Sequence, residues 1–394
     1  MSVYQEKVQQ VAGLLNEFGL DMWLIFVRET AESTDPVLKV LGHLNAVWPA
    51  AFMFHRSGAR IAITGMGDDE AVRSQGLFDE VIPYQLSVKE PLLEVIAKWN
   101  PASIGINYSQ SDVAADGLSY GMLLNLQTYL AGTPYVSRLT SAEEVCEAVR
   151  SRKTAAELAA MHTAAVTALG IFDGMAGWLR SGMSEKAIAA RVHQQVVDLG
   201  LENSWDDAHC PGLNAGPDSP WGHAGASDEV IRPGITLNMD FGVKQDGFCS
   251  DNQRVWYFMR DGETAAPAGV QHAFESVRDG IQAAFDAVKP GMQGWEVDAV
   301  ARQFIVNAGY PEYPHALGHQ VGRYAHDGGV GFYPRWERYG NKPFGRVAAG
   351  QVFTLEFGVR TEWGYISIEE MIVLRENGAE WLVPPQKELW LVTG

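Results

Sequence analysis

The sequence predicts an α/β domain over residues 1–150, followed by a larger α+β domain over residues 151–394. In the first part, short apolar strand-like stretches alternate with amphipathic helical stretches. Beyond it, an Ala-rich helical stripe is followed, from residue 234 onward, by alternating strand patterns with frequent glycine. Helices grouped around a mostly antiparallel sheet are typical of the α+β class.

The first domain begins with an amphipathic helix whose apolar face includes Val11 and Leu14 and which ends at Gly19. Buried strands are predicted near residues 23–27, 51–54 and 61–64, and a helix near 92–99. This half of the sequence contains no phosphate-binding glycine loop. The sequence therefore assigns it no chemistry.

The second domain begins with the Ala-rich helix, whose apolar stripe runs from Leu158 to Met175. Ser184 is positioned to cap a second helix that ends before Gly200. A third helical pattern covers about residues 268–288. The two strand-rich parts on either side of this third helical pattern carry the residues of chemical interest.

Composition and charge exclude several classes of partner. Lys and Arg number 30 against 48 Asp and Glu, a net charge of −18. Binding to nucleic acid or to anionic membranes needs the opposite balance. The three cysteines form no Cys-x-x-Cys pair, which favours a reducing compartment. No signal peptide or early bilayer-spanning run is apparent, so we expect a soluble, cytoplasmic protein.

Two aspartates lie in neighbouring strand-like segments. Asp240 faces away from the apolar residues of its segment, and Asp251 lies in the next one. Between them, Asp246 and Gly247 form a strong hairpin signal. A four-residue loop would put the two carboxylates directly opposite, and a two-residue loop would make them diagonal neighbours on the same face. A three-residue loop would separate them.

Two glutamates repeat this pattern near the C-terminus. Glu356 and Glu369 each interrupt an apolar strand-like run, and Glu369 shares its side of the strand with Tyr365 and Ser367. Glu370 must then face the other way. Acidic side chains in such runs are costly unless they are paired or bound to metal.

Histidines supply the remaining candidate ligands. His315, His319 and His326 lie in one run whose glycines favour an irregular or strand-like segment. His223 lies in a glycine-rich loop suited to close approach of a ligand. Taken singly, the aspartates would be solvated acids and a histidine would be structural. In combination they favour a metal site, and one imidazole with four carboxylates suits two divalent ions such as Mn²⁺, Co²⁺ or Zn²⁺.

In the order Asp240, Asp251, His319, Glu356 and Glu369, these residues resemble the five-ligand signature of the pita-bread metallopeptidases. That group includes methionine aminopeptidase, aminopeptidase P and prolidase, the Xaa-Pro dipeptidase. The resemblance covers about residues 153–394, and the preceding 150 residues resemble the N-terminal domain of the creatinase–prolidase branch. It implies a pita-bread fold preceded by a smaller domain that supports dimerisation and shapes the active site of a homodimer.

The resemblance also implies a role for each ligand. Asp251 and Glu369 would bridge two divalent ions, with manganese preferred over cobalt or zinc. Asp240 would complete one ion, and His319 and Glu356 the other. Glu356 would also move the proton of a hydroxide that bridges the ions.

Four further residues are predicted to bind or act on the substrate. By resemblance, His223 would lie beside it and stabilise the intermediate, His326 would contact the scissile carbonyl, and His315 would shape a proline pocket. Arg335 lies in an aromatic loop, and its guanidinium suits a substrate carboxylate. An ordinary surface loop is the alternative interpretation of that segment.

The sequence departs from the family pattern at three places. Phe357 follows Glu356 where proline is usual, and Ser367 stands where arginine is common. His209 lies where many relatives have a tyrosine that supports the metal-binding acids. The ligand set stays intact, so these changes bear on the catalytic rate and on how a substrate carboxylate or terminus is held.

The resemblance implies hydrolysis of Xaa-Pro peptide bonds in small peptides with proline at the second position. An Xaa-Pro dipeptidase is the preferred interpretation, and an aminopeptidase P acting on longer peptides is the alternative. A creatinase-like, metal-free amidinohydrolase would not need the five ligands. A binding module on an inactive peptidase fold should have lost them.

Overall fold

The computed structural model describes residues 1–220 and 225–393. The chain divides into two compact units, Met1–Ala156 and Glu157–Gly394. The predicted domain boundary after residue 150 lies within the helix Glu143–Ser151, which precedes this division.

The first unit is an α/β unit built on one mixed sheet. Its helices are α1 Val3–Glu17, α2 Leu38–Leu41, α3 Asp69–Arg73, α4 Lys89–Trp99, α5 Tyr120–Leu130 and α6 Glu143–Ser151. Its strands are β1 Met22–Val27, β2 Ala50–His55, β3 Arg60–Gly65, β4 Glu80–Tyr84, β5 Ile104–Ile106 and β6 Leu139–Ser141. The strand order is β4-β3-β2-β1-β5-β6. β1, β2 and β3 pair antiparallel, whereas β4, β5 and β6 each join in parallel.

The helix predicted at the start of the chain is confirmed as α1. The Ser2 hydroxyl accepts a hydrogen bond from the Gln5 amide, which caps its N-terminus. Gly19, with a φ of 69°, turns the chain toward β1. The ammonium of Lys7 is fully buried and donates to the carbonyls of Val149 and Arg152. These carbonyls belong to the C-terminal end of α6, where a cation is favoured.

The second unit is α+β, as the sequence predicts. Its helices are α7 Ala155–Trp178, α8 Glu185–Asp198, α9 Ala268–Ala287 and α10 Gly294–Asn307. Its strands are β7 Glu202–Asn203, β8 Gly212–Ala215, β9 Thr236–Phe241, β10 Val243–Gln245, β11 Phe248–Cys249, β12 Asn252–Phe258, β13 Val352–Thr361, β14 Gly364–Arg375, β15 Gly378–Trp381 and β16 Trp390–Val392. The main sheet has the order β13-β14-β12-β9-β8, with β15 added to β14 and β16 to β12.

Two pairs of helices cover one face of this sheet. Residues of α7 and α8 pack on Leu237, Met239 and Trp256 of β9 and β12. Residues of α9 and α10 pack on Leu355 and Ile368 of β13 and β14. Side chains alternate between faces along a strand, so the residues next to these core positions point to the opposite face. The candidate metal ligands of the strands lie on that opposite face.

Helix α7 is long and apolar enough to cross a membrane by length and composition alone. Its residues Phe172 and Met175 are instead fully buried in the core of the second unit. A core helix of a soluble protein meets the same length and composition criterion.

A two-residue turn determines how the aspartate strands pair. Gln245 pairs with Phe248, and Asp246 and Gly247 between them both have positive φ, as a type I′ hairpin turn requires. The same register pairs Asp240 with Gln253. This is the second of the two registers that keep the carboxylates on one face.

Two details differ from the sequence-based prediction. Each of the two aspartate segments is broken into two strands. The break lies where Gly242 meets Ser250 so closely that a Cβ at Gly242 would overlap the Ser250 carbonyl oxygen. Helix α10 was not predicted, because its first turn contains Gly294 and follows Pro290 and Gly291, which are typical of a turn.

Candidate metal centre

Three acids and a glutamine form one row across four neighbouring strands. Asp240 on β9 pairs with Gln253 on β12, which pairs with Glu369 on β14, which pairs with Glu356 on β13. Directly paired residues point to the same face of a sheet. Asp251 precedes Gln253 by two residues and shares this face. The four predicted carboxylates therefore converge, although they are far apart in sequence.

The histidine run supplies the fifth member from a strand-like segment beside β13. The amide of Thr354 donates to the His319 carbonyl, and the amide of Glu356 donates to the Leu317 carbonyl, at 2.9 and 2.7 Å. The His319 amide donates in return to the Thr354 hydroxyl at 3.2 Å. These bonds place the imidazole of His319 next to the row of acids.

The imidazole presents one nitrogen to three of the carboxylates. Nε2 of His319 lies 3.7 Å from Asp251 Oδ2, 3.7 Å from Glu369 Oε1 and 3.9 Å from Glu356 Oε1. Its Nδ1 lies 3.3 Å from the Gln320 carbonyl oxygen. With Nδ1 donating to that carbonyl, Nε2 keeps its lone pair and can bind a metal. One ligand atom each from Asp251, His319 and Glu369 lies within 4.8 Å of the other two.

Burial of these groups perturbs every pKa in the cluster. Burial raises the pKa of Asp240 to about 7. Burial and then the charge of Asp240 raise the pKa of Glu356 to about 8. Burial, followed by neighbouring carboxylates, holds the pKa of Asp251 and Glu369 well above the ordinary range. Burial and then His326 lower the pKa of His319 to about 3, so this imidazole is neutral at pH 7.

The donor set fits divalent cations. Oδ1 of Asp240 is buried and has no hydrogen-bond partner among the residues that the structure describes. Buried carboxylates without partners are costly, and clustered ones repel each other unless a cation or a proton intervenes. Oxygen donors with one imidazole are ligands that manganese, cobalt and zinc accept. The metal-free cluster is therefore electrostatically unfavourable at neutral pH.

Metal-free protein is expected to lose stability as pH rises. The pKa values of Asp240 and Glu356 are about 7 and about 8 in the folded protein, against about 4 in an unfolded chain. Folding therefore takes up protons, and the free energy of unfolding falls between about pH 4 and pH 8. The measurement is thermal unfolding of EDTA-treated and Mn²⁺-loaded protein across this range. The prediction would be contradicted if the difference in melting temperature between the two preparations became smaller as pH rises.

The neighbouring acid on β14 serves a different purpose. Glu370 faces the helix-covered side, where Arg254 donates to its two carboxylate oxygens at 3.0 and 3.1 Å. Both residues are 1% exposed. On the site face, Gln253 donates to Oε2 of Glu369 at 3.0 Å. This bond orients Glu369, as an outer hydrogen bond does for a metal-binding carboxylate.

The remaining predicted residues are distributed around this cluster. The ring of His326 lies 4.2 Å from that of His319, at an angle of 84°. His315 packs its ring edge-on against Tyr313, with centroids 5.5 Å apart. Arg335 is exposed and lies 4.2 Å above the Trp295 ring. His223 lies outside the described residues.

A buried ion pair on α10 holds the segment that leads to His319. Arg302 binds both carboxylate oxygens of Asp298, at 2.7 and 2.8 Å. The guanidinium also donates to the carbonyls of Tyr313 and His315. Asp298 in turn accepts a hydrogen bond from the Leu317 amide at 3.1 Å. This brace fixes the backbone around His315.

Three tyrosines beside Glu356 were not identified from sequence. Burial raises the pKa of Tyr333 and of Tyr365 to about 12, and Glu356 adds to both shifts. Burial, followed by the charge of Tyr365, holds the pKa of Tyr313 well above its ordinary value. For Tyr365 a signal existed, because it shares its side of β14 with Glu369. The other two approach through loops, whose path no local pattern gives.

Two of the residues that depart from the family pattern, Ser367 and His209, have defined surroundings in the structure. Ser367 donates to the Phe357 carbonyl at 2.7 Å, which ties β14 to β13. The side chain of His209 is 48% exposed, and its Nδ1 lies 3.8 Å from Asp206 Oδ1. Among the described residues, His209 forms no hydrogen bond or ion pair with the acids of the site. The expectation that it replaces a supporting tyrosine is therefore not met.

Comparisons with known proteins find similar peptidases. The family model described as metallopeptidase family M24 matches residues 159–376. An uncharacterised peptidase of Bacillus subtilis, YqhT, is 29% identical over 389 residues, 97% of this chain and 99% of the relative. An Xaa-Pro dipeptidase of Pyrococcus furiosus is 28% identical, covering 84% of this chain and 89% of its own length.

Among solved structures, an Xaa-Pro dipeptidase from Bacillus anthracis superposes with a TM-score of 0.72 at 21% identity. The superposition covers 99% of this chain and 100% of the Bacillus anthracis chain. This likeness, with the family match, confirms the predicted fold class: a pita-bread α+β unit preceded by a smaller α/β unit.

Proposed function

The chain belongs to metallopeptidase family M24, and from this premise we propose that it hydrolyses Xaa-Pro bonds in small peptides. The observation that carries the proposal is the single row Asp240, Gln253, Glu369, Glu356, with Asp251 and His319 beside it. The Pyrococcus furiosus relative, named an Xaa-Pro dipeptidase, supports the proline specificity. A dipeptidase is the preferred form, and an aminopeptidase acting on longer peptides is the alternative.

The proposed cofactor is a pair of divalent ions, with manganese preferred over cobalt or zinc. Asp251 and Glu369 would hold both ions, Asp240 one of them, and His319 and Glu356 the other. The buried Oδ1 of Asp240, which lacks a hydrogen-bond partner within residues 1–220 and 225–393, supports a cation at this end of the row. Bound there, such ions would supply Lewis-acid activation of the scissile carbonyl and of the attacking water.

The chain's own residues would orient the substrate and move protons. Glu356 is the most exposed carboxylate around His319, with 22% of its side chain accessible, so it is best placed to take and return a proton. His326, stacked edge-on against His319, would donate to the scissile carbonyl. His315 would line the proline pocket and His223 would bind beside it.

The deciding experiment is hydrolysis of alanyl-proline and alanyl-prolyl-alanine by Mn²⁺-loaded protein, with EDTA-treated protein as the control. We expect cleavage of the dipeptide only, which is prolidase activity. Cleavage of the tripeptide with poor use of the dipeptide would establish the aminopeptidase instead. A protein that binds two metals but cleaves neither peptide would exclude the proline assignment. Cleavage of either peptide by the EDTA-treated protein would refute the metal-dependent mechanism.

An Arg335→Ala variant is expected to raise KM for the dipeptide by about tenfold, with little change for the tripeptide. A guanidinium that holds a carboxylate contributes binding energy of about that size, and only the dipeptide carries its carboxylate on proline. The measurement is KM for both peptides. Arg375→Ala is the matched control, since Arg375 is also exposed and pairs with Glu380 at 2.8 Å. Equal effects on both peptides would refute the assignment.

Assembly and location complete the proposal. We infer a cytoplasmic homodimer whose first unit contributes to dimerisation and to the shape of the active site. The buried, free cysteines agree with a reducing compartment. Sedimentation at micromolar concentration would distinguish the dimer from a monomer.

A further inference from the structure

One buried acid binds the chain on both sides of the segment that carries His223. Glu185, the first residue of α8, is fully buried. Its Oε1 accepts a hydrogen bond from the Ser219 hydroxyl at 2.6 Å, and its Oε2 accepts one from the Ser227 hydroxyl at 2.7 Å. Residues 221–224, which include His223, lie between these two serines in the sequence. A single carboxylate therefore joins the two ends of the segment 219–227.

Two backbone amides complete the hydrogen bonds of this carboxylate. Oε1 also accepts from the amide of Ala215 at 2.8 Å, and Oε2 from the amide of Ser227 at 2.9 Å. Each oxygen thus receives one amide and one hydroxyl. An ionised carboxylate, which has acceptors only, matches this set of four donors. These bonds, together with the N-terminus of α8, offset the cost of burying the negative charge.

Other contacts hold the chain still closer to residues 221–224. The side-chain amide of Asn214 donates to the Pro220 carbonyl at 2.8 Å. Gly225 lies so close to Ala208 that a Cβ at position 225 would overlap the Ala208 carbonyl oxygen. The backbone is therefore held directly before and directly after the part of the chain that includes His223.

The same carboxylate is bonded to the sheet that forms the metal centre. Strand β8 pairs with β9, with Gly212 opposite Asp240 and Ala215 opposite Leu237. The bond from the Ala215 amide to Glu185 lies at the end of β8. Glu185 thus connects the strand beside Asp240 with both ends of the segment 219–227.

We propose that Glu185 is a positioning residue of the peptidase, which acts through the segment 219–227 and fixes His223 relative to the metal-binding acids. The inference rests on the proposed function, in which His223 binds beside the substrate. It assigns a part in substrate binding to an acid outside the five proposed ligands.

The first test is a Glu185→Gln variant, loaded with Mn²⁺. In either orientation, the NH₂ group of the glutamine faces one backbone amide, which cannot accept a hydrogen bond. At least one of the four bonds is then lost. We expect kcat/KM for the peptide that wild-type protein cleaves to fall about 10- to 100-fold, as for a displaced substrate-binding group. Bound Mn²⁺ should stay at the wild-type amount.

The division of this loss between KM and kcat separates positioning from stability alone. A smaller folded fraction would lower kcat and leave KM unchanged, whereas a displaced substrate-binding histidine should raise KM. Asp228→Asn is the matched control, because exposed Asp228 also links the segment to α8, through Lys186 at 2.8 Å. This control should keep the wild-type kcat/KM. A Glu185→Gln variant with unchanged KM, or with less bound Mn²⁺, would overturn the inference.

The second test repeats the substitution in a His223→Ala background. If Glu185 acts through His223, Glu185→Gln should then change kcat/KM by no more than about twofold, whereas independent residues would show the full loss again. The full loss in this background would overturn the inference. If Glu185→Gln fails to fold, the milder variants Ser219→Ala and Ser227→Ala take its place, and an unchanged KM in both would have the same meaning.

Hydrogen exchange of the amides in residues 212–230 requires no turnover. Faster exchange in Mn²⁺-loaded Glu185→Gln than in Asp228→Asn supports the anchoring of the segment, and equal exchange overturns the inference. Wild-type protein that cleaves neither peptide refutes the proposed function, whereas the exchange measurement still tests Glu185.

Discussion

A Glu369→Gln variant is expected to lose more than about 10²-fold in kcat/KM and to retain less metal than wild-type protein. Glu369 stands at the centre of the row, paired with both Gln253 and Glu356, and its Oε1 lies 3.7 Å from His319 Nε2. Loss of a partner that merely orients a ligand costs about 10- to 100-fold. If Glu369 binds both ions, as proposed, its loss should cost more. Metal content after gel filtration and peptide hydrolysis are the two measurements.

Glu370→Gln is the matched control, because it makes the same chemical change one residue along the chain. Glu370 faces the helices and pairs with Arg254, so this variant should keep its metal but unfold more easily. In EDTA at pH 8, where no metal is bound, Glu369→Gln should be more stable than wild-type protein, because the substitution removes one carboxylate from a buried group of like charges. Full metal content and activity in Glu369→Gln would refute its assignment.

An Arg254→Met variant is expected to lose about 3–5 kcal/mol of unfolding free energy, the usual effect of removing one partner of a buried ion pair. Arg254 makes the two bonds to Glu370 and donates to the carbonyls of Gln253 and Glu369. It also lies 5.6 Å from the Phe172 ring centroid. The substitution leaves a carboxylate in a site that water does not reach. Urea unfolding of metal-loaded protein measures the loss.

The loss should grow with pH. Burial raises the pKa of Glu370 to about 7, although Arg254 acts to lower it. Without the guanidinium, the pKa of Glu370 in the folded state rises further above its value in the unfolded chain. Stability is therefore lost as pH rises from the unfolded-state pKa through the folded-state pKa. Replacing both residues by methionine should recover most of the stability, because no unpaired charge remains. A loss below about 1 kcal/mol for Arg254→Met at pH 8 would contradict this account, because a buried carboxylate without its partner should cost several times more.

Strand parity is the part of the site that the sequence predicts well. Alternation places Asp240, Glu356 and Glu369 on the sides of their strands opposite the apolar residues, and the hairpin register places Asp251 on the face of Asp240; the structure confirms both. The Asp246-Gly247 signal correctly restricts the register, since a two-residue turn leaves only the diagonal arrangement. The order of the strands in the sheet is not predicted from the sequence. The pairing of β12 with β14 joins residues more than a hundred positions apart, and no local pattern encodes it.

Side-chain contacts between distant elements account for what the sequence does not predict. The Asp298–Arg302 brace looks like an ordinary i, i+4 pair on a helix until its carbonyl partners are known. Helix α10 itself is not predicted, because glycines near its start are typical of a loop. The loop containing Arg335 shows aromatic contacts that suit either packing or ligand binding. Its assignment stays a prediction.

The brace on α10 has a consequence for engineering the enzyme. Arg302 and Asp298 hold the segment 313–317 by its backbone, through two carbonyls and one amide. Side chains at such positions can change without loosening the loop. A library randomised at Pro314 and His315, with both members of the brace retained, should therefore yield folded variants with altered pockets. The same library in an Arg302→Ala background should yield mostly inactive ones.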